Sequence, residues 1–138
     1  MAPPRFDHEK LAVYQLSIDF VAWAQSLVEG APLTGPLRDQ LDRAASSIPL
    51  NIAEGNGKYS KRDRCRFLEV ARGSALECAA CLDVMVGRKV VTLGAIEEGK
   101  GTLLRVVSML TSLIASVGNR AGEQEAEYDL NGLEREHE

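Results

Sequence analysis

Histidine is almost missing from this chain, and cysteine, aromatic side chains and long apolar runs are all scarce. Two histidines occur, His8 ahead of the first helical stretch and His137 near the end. A hydrolytic centre needs a nucleophile, a base and a group that orients the base. Neither histidine can be set beside a serine or cysteine by helical spacing, which argues against Ser-His and Cys-His chemistry. A di-iron bundle requires inward-facing Glu-x-x-His pairs on two helices, and none falls within the helical stretches. No Gly-x-x-x-x-Gly-Lys phosphate loop is present. Gly55-Asn56-Gly57-Lys58 follows a helical pattern rather than a strand and reads as a helix C-cap. The expectation is a protein that is not an enzyme, with no catalytic residues, no metal and no cofactor.

Three cysteines make an odd count. Cys78 and Cys81 form a Cys-x-x-Cys pair, a spacing used in redox and zinc sites. They fall inside a long helical pattern, with no second Cys or His pair nearby, on the face that carries Phe67, Ser74 and Met85. Small buried hydrophobes are the better reading. No continuous run approaches the 18 or so apolar residues of a membrane span. The start, Met-Ala-Pro-Pro-Arg-Phe-Asp-His, lacks the features of a signal peptide. A cytoplasmic protein without a membrane partner is expected.

Charge is unevenly spread. The chain carries −4 overall. Residues 123–138 hold seven acidic side chains and one arginine, so the remainder is mildly basic. Between Arg38 and Arg72, eight basic residues stand against five acidic ones. Such asymmetry points to a polyanion as partner.

Helical patterning fills most of the rest. At 138 residues the chain is long enough for one core, and strand signals are confined to the short run Lys89-Val90-Val91-Thr92. Val13, Leu16, Phe20, Trp23 and Leu27 step by three and four, predicting a helix from Asp7, as N-cap, to Gly30. A second helix opens near Gly35-Pro36 and runs towards Gly57, with a kink expected at Pro49. Ser60 caps a third that ends near Gly87 and carries two apolar files, Phe67, Ala71, Ser74, Cys78 and Met85, then Leu68, Ala75, Ala79, Leu82 and Val86. That width calls for a central bundle helix or one shared with another subunit. A fourth spans Leu93 to Gly118, with Gly99 and Gly101 each costing about 1 kcal/mol and fraying its first turns. Short connections give an all-α, antiparallel up-down-up-down four-helix bundle over residues 1–121. Residues 122–138 are expected to form an acidic, disordered tail.

Gln40 to Gly55 is the most informative stretch. At about 100° per residue, Arg43, Ser47, Asn51 and Glu54 share an arc of roughly 80°, with Leu50 among them. Leu41, Ala45, Ile48 and Ile52 lie opposite. A merely solvated face needs only generic Lys and Glu, so this one suits contact with something. Two sets of candidate residues follow. Lys58, Tyr59, Lys61, Arg62, Arg64 and Arg66 gather at an exposed turn between the second and third helices, where Tyr59 could stack on a base; a solvated turn is the plainer alternative. Arg43, Ser47, Leu50, Asn51, Glu54, Arg72, Gly73 and Glu77 suit a partner or subunit interface, or a polar network between helices.

The runs Arg43-Ala44-Ala45, Ser47-Ile48-Pro49 and Asn51-Ile52-Ala53-Glu54-Gly55, followed by Arg72-Gly73-Ser74 and Glu77, resemble the signature of the four-helix-bundle family of 23S rRNA intervening-sequence proteins. That family is related to the accessory variability protein of diversity-generating retroelements. The likeness runs from about Leu11 to Val117. Asp42 departs from it, standing where many relatives look basic. The resemblance implies a homo-oligomer, a ring of five, and either structured RNA or a reverse transcriptase as partner. An oligomeric RNA-binding or ribonucleoprotein-assembly protein is therefore expected, with a protein–protein scaffold as the alternative.

Overall fold

The computed structural model describes residues 3 and 5–136, with side chains described through residue 118. A 3-10 turn, Asp7–Lys10, leads into four helices: α1 (Ala12–Gly30), α2 (Pro36–Asn56), α3 (Lys61–Gly87) and α4 (Leu93–Glu136). Connections of only four or five residues join them, so successive helices run antiparallel. Each packs on its neighbours in sequence, and α1 closes the bundle against α4. No strand occurs among the described residues.

Local chemistry accounts for most of the boundaries. Pro36 opens α2, where its missing N–H leaves nothing unsatisfied. The Ser60 hydroxyl accepts a bond from the Asp63 amide, 3.2 Å, and caps α3. Helix α3 ends with Lys89 at φ 60°, in the left-handed region, while the Val90 amide bonds back to the Met85 carbonyl at 3.0 Å. Helix α2 passes through the buried Pro49 without interruption. The first helix differs from expectation. Asp7 does not cap it; its carboxylate accepts from Asn56 Nδ2 at 2.9 Å, and the chain makes a separate 3-10 turn before Leu11 goes extended.

Phe20, Leu41, Ile48, Ile52, Leu82, Met85, Leu103, Val106 and Leu110 form the core. Both apolar files of α3 are largely consumed inside the chain: Leu68, Ala71, Ala75, Cys78, Leu82 and Met85 are all buried. The breadth of that helix reflects its packing on both α2 and α4. Leu113 is only half-buried, packed against the core from outside it. Cys78 and Cys81 are buried, as their spacing on α3 implies.

Helix α4 holds three departures. Gly99 is a packing position rather than a fraying one, because a Cβ there would overlap the Trp23 ring. The helical backbone continues past Gly118 to Glu136, through a segment rich in the good helix formers Glu, Ala, Gln, Leu and Arg. The side chains of residues 119–138, and residues 137 and 138 altogether, lie outside the described residues. Finally, Leu93–Gly118 is long and apolar enough to cross a membrane by length and composition. No unbroken apolar run reveals this, because Gly, Ser and Thr dilute the pattern while Arg105 is the single charge from 101 to 118. In the bundle, Ile96, Leu103, Val106, Leu110 and Val117 of this helix are buried.

Candidate nucleic-acid interface

Antiparallel packing brings four segments to one end of the bundle. The Asp7–Asn56 bond ties the 3-10 turn to the last turn of α2. The Cys65 thiol lies 3.8 Å from the Ile114 carbonyl, tying the start of α3 to α4. The turn at residues 57–60 sits between them. Among the described side chains, Lys10, Lys58, Lys61, Arg62, Arg64 and Arg66 on these segments stand against Asp7, Glu9, Glu54 and Asp63, an excess of two positive charges, while Arg5 lines a groove along α1 with Glu9 and Asp19.

The cations at the turn are held in different ways. Lys58 Nζ lies 3.8 Å from Glu54 Oε1 and 5.2 Å from the Phe67 ring centroid. Arg66 reaches Asp63 at 3.9 Å and covers the same ring, also at 5.2 Å. These surface pairs are long and solvent-screened, so each adds little and leaves the charge accessible. Tyr59 is fully exposed. The turn is less exposed than expected from sequence: Lys58, Lys61 and Arg64 are half-buried while Tyr59, Arg62 and Arg66 are exposed, and Arg64 Nε is buried without a hydrogen-bond partner. Arg64 sits where α3 approaches α2, since a Cβ on Gly55 would lie 3.2 Å from the Arg64 carbonyl oxygen and 2.9 Å from Phe67 Cβ.

The second set of candidates divides. Asn51 Nδ2 donates to the Ser47 carbonyl and to Ser47 Oγ, both at 2.8 Å, and Ser74 Oγ donates to Ser47 Oγ at 2.8 Å. Ser47, Asn51 and the buried Ser74 thus make a small network between α2 and α3. Gln40 Nε2 donates to Glu77 Oε1 at 3.0 Å across the same pair of helices. Arg72 turns the other way, towards Thr111 of α4 at 3.4 Å. Arg43 and Leu50 stay exposed, lining an open groove on α2 with Asp39, Asp42 and Ser46. Gly73 meets nothing within 4 Å inside the chain; the close α2–α3 approach is made at Gly55 instead.

The spacing of Ser74 places it in an apolar file of α3, and nothing in that spacing marks it as a partner for Ser47. Arg5, Phe6 and Lys10 carry little more in the linear sequence. Their only signal is a basic and aromatic start, Arg-Phe-Asp-His-Glu-Lys, whose neighbours the linear sequence does not reveal.

Among the described residues, no group of three or more His, Cys, Asp or Glu converges. Burial pushes the Cys78 thiol up to about 12, with smaller contributions from Cys81 and Glu77. Cys81 is raised too, first by burial and then by Glu77. A thiol held protonated is a poor nucleophile and a poor metal ligand.

A family model described as 23S rRNA-intervening sequence protein matches residues 9–112. The fold is similar to the crystal structure of a protein with unknown function from the S23 ribosomal protein family of Bacteroides thetaiotaomicron. The TM-score is 0.70 at 21% identity, covering 75% of this chain and 98% of that one; at that identity the likeness shows the fold alone. No curated protein matches the sequence.

Proposed function

Because the chain belongs to the 23S rRNA-intervening sequence protein family, we propose that it is a non-enzymatic, homo-oligomeric RNA-binding protein acting in ribonucleoprotein assembly. The observation that carries this reading is the bundle end, where fully exposed Tyr59 stands among Lys58, Lys61, Arg62, Arg64 and Arg66 and the 3-10 turn bearing Lys10 is tied to the end of α2. A ring of such subunits presents the modest patch several times, and multivalency raises a weak site affinity through effective concentration. A reverse transcriptase is a second partner that a cytoplasmic ribonucleoprotein of this kind could engage.

Self-association draws support from apolar side chains left outside the core. Val70, Leu76 and Val84 of α3 are 47%, 54% and 42% exposed, and Leu104 of α4 is 71% exposed. They lie off both buried files, so their surface is surplus to the single chain. The same surface supports the alternative, a protein–protein scaffold with no nucleic-acid role.

The test is a salt titration of structured-RNA binding. Full-length protein, a variant ending at residue 122, and Lys61→Ala/Arg62→Ala/Arg66→Ala are compared. Affinity should fall steeply with salt, since each neutralised phosphate releases counterions. The triple substitution should flatten that slope, and removing the acidic residues should tighten binding. No RNA binding by any of the three at about 50 mM salt would leave the scaffold reading in its place.

A further inference from the structure

Seven aromatic residues occur in the chain, and the bundle spends them unequally. Phe20 is in the core with Trp23 beside it, their ring centroids 5.7 Å apart. Tyr14 and Phe67 are half-buried. Of the six whose side chains are described, two are left out in solvent, Phe6 at 74% exposed and Tyr59 completely so, and both are at the basic end. Three residues of chain span at most about 11 Å, so Tyr59 lies within that reach of Asn56, which holds Asp7 next to Phe6.

The N-terminal rings are also braced. Phe6 lies parallel to His8, with 8° between the planes and 5.9 Å between centroids. The edge of Tyr14 meets His8 at 4.8 Å and 72°. The Phe6 amide is fixed by Glu9 Oε2 at 2.8 Å. These contacts favour one orientation of the exposed Phe6 ring before any ligand arrives, which lowers the cost of binding. Phe67 plays a supporting part, keeping Lys58 and Arg66 over its face at the rim.

Charge alone would serve any RNA. Flat rings amid the charge serve a narrower class. In a duplex the base faces are covered by their neighbours, and proteins meet the helix through phosphates, 2′-hydroxyls and shape. Unpaired bases expose their faces and stack on aromatic side chains while cations follow the backbone.

Resting on the RNA-binding reading above, we propose that this bundle end selects unpaired RNA. Bases stack on Tyr59 and on the Phe6–His8 pair, and the cations of Lys58 to Arg66 hold the phosphates.

Fluorescence anisotropy with a labelled oligoadenylate and a blunt RNA duplex of equal nucleotide number tests the proposal at one fixed salt concentration. The single strand should bind more tightly. Tyr59→Ala should weaken it on the order of 5- to 150-fold, the loss of one stacked base, and the same comparison repeated over a series of salt concentrations should leave the salt slope unchanged. Tyr59→Trp should retain affinity and Tyr59→Leu should not, and Phe6→Ala should act in the same direction as Tyr59→Ala. Because Tyr59 makes no core contact, these variants should keep the wild-type melting curve. Equal binding of both RNAs, preference for the duplex, or wild-type affinity in Tyr59→Leu overturns the proposal while the RNA-binding reading stands. Failure of the wild-type protein to bind either RNA overturns both.

Discussion

Gly99 and Gly101 are two residues apart on the same helix, yet replacing each with alanine should move stability in opposite directions. Alanine gains about 1 kcal/mol over glycine in a helix interior. At Gly101 nothing lies within 4 Å of the added methyl, so Gly101→Ala should stabilise by about that amount. At Gly99 the methyl would overlap Cη2 and Cζ3 of Trp23 and fall 2.7 Å from Cε3. The indole cannot retreat inwards, because Phe20 behind it is fully buried. It must swing outwards and give up its seat on α4. Overpacking of this kind costs about 1–3 kcal/mol, and a rigid ring against a filled core belongs at the upper end. After the helical gain is offset, Gly99→Ala should destabilise by roughly 2 kcal/mol. Urea unfolding followed by circular dichroism measures the difference. Trp23 is the single tryptophan, so its emission should shift to the red in Gly99→Ala alone. In a Trp23→Ala background the same substitution should become stabilising, which a double-mutant cycle reads directly. Equal gains from Gly99→Ala and Gly101→Ala would refute the seating of Trp23 on α4.

Gly55→Ala should destabilise by roughly 1–3 kcal/mol in a thermal or urea melt, since the methyl meets Phe67 Cβ and a backbone oxygen, neither of which can swing aside. Leu110→Ala should cost about 2–5 kcal/mol, whereas Leu113→Ala, at a half-buried site, should cost less than half as much in the same assay. Stability should fall as pH rises above 9.0, the ordinary ionisation range of a thiol, because Cys78 keeps its proton to about 12 only when folded. Above pH 9 the unfolded chain binds fewer protons than the folded one, so the loss is about 1 kcal/mol per pH unit. Urea midpoints measured from about pH 8 to about pH 11 should show that slope, and Cys78→Ala should reduce it, the raised Cys81 thiol supplying what remains.

Helical periodicity was enough to read α2 and α3 almost to the residue, since a continuous apolar file, a proline at the first position and a serine cap are local signals. The burial of Ile48, Ile52, Cys78 and Leu82 follows from the same spacing, because one face of each helix must leave water. The first helix was less legible. Whether Asp7 caps it or bonds Asn56 depends on a residue 49 positions away. The candidate site divides along the same line. Lys58 to Arg66 can be found by scanning the sequence, as can the polar file on α2. That Ser47 takes up Asn51 and Ser74, leaving Arg43 and Leu50 outwards, could not be.

What the sequence by itself determined is therefore which stretches are helical, which faces are apolar and where the positive charge lies. Each of these depends on residues within a few positions of one another. Only the tertiary structure decided that Gly99 makes room for Trp23, that Gly55 lets α3 approach α2, and that Phe6 shares one end of the bundle with Tyr59. Those outcomes arise between segments far apart in the chain, where antiparallel packing chooses the neighbours and the spacing along any one helix carries no record of them.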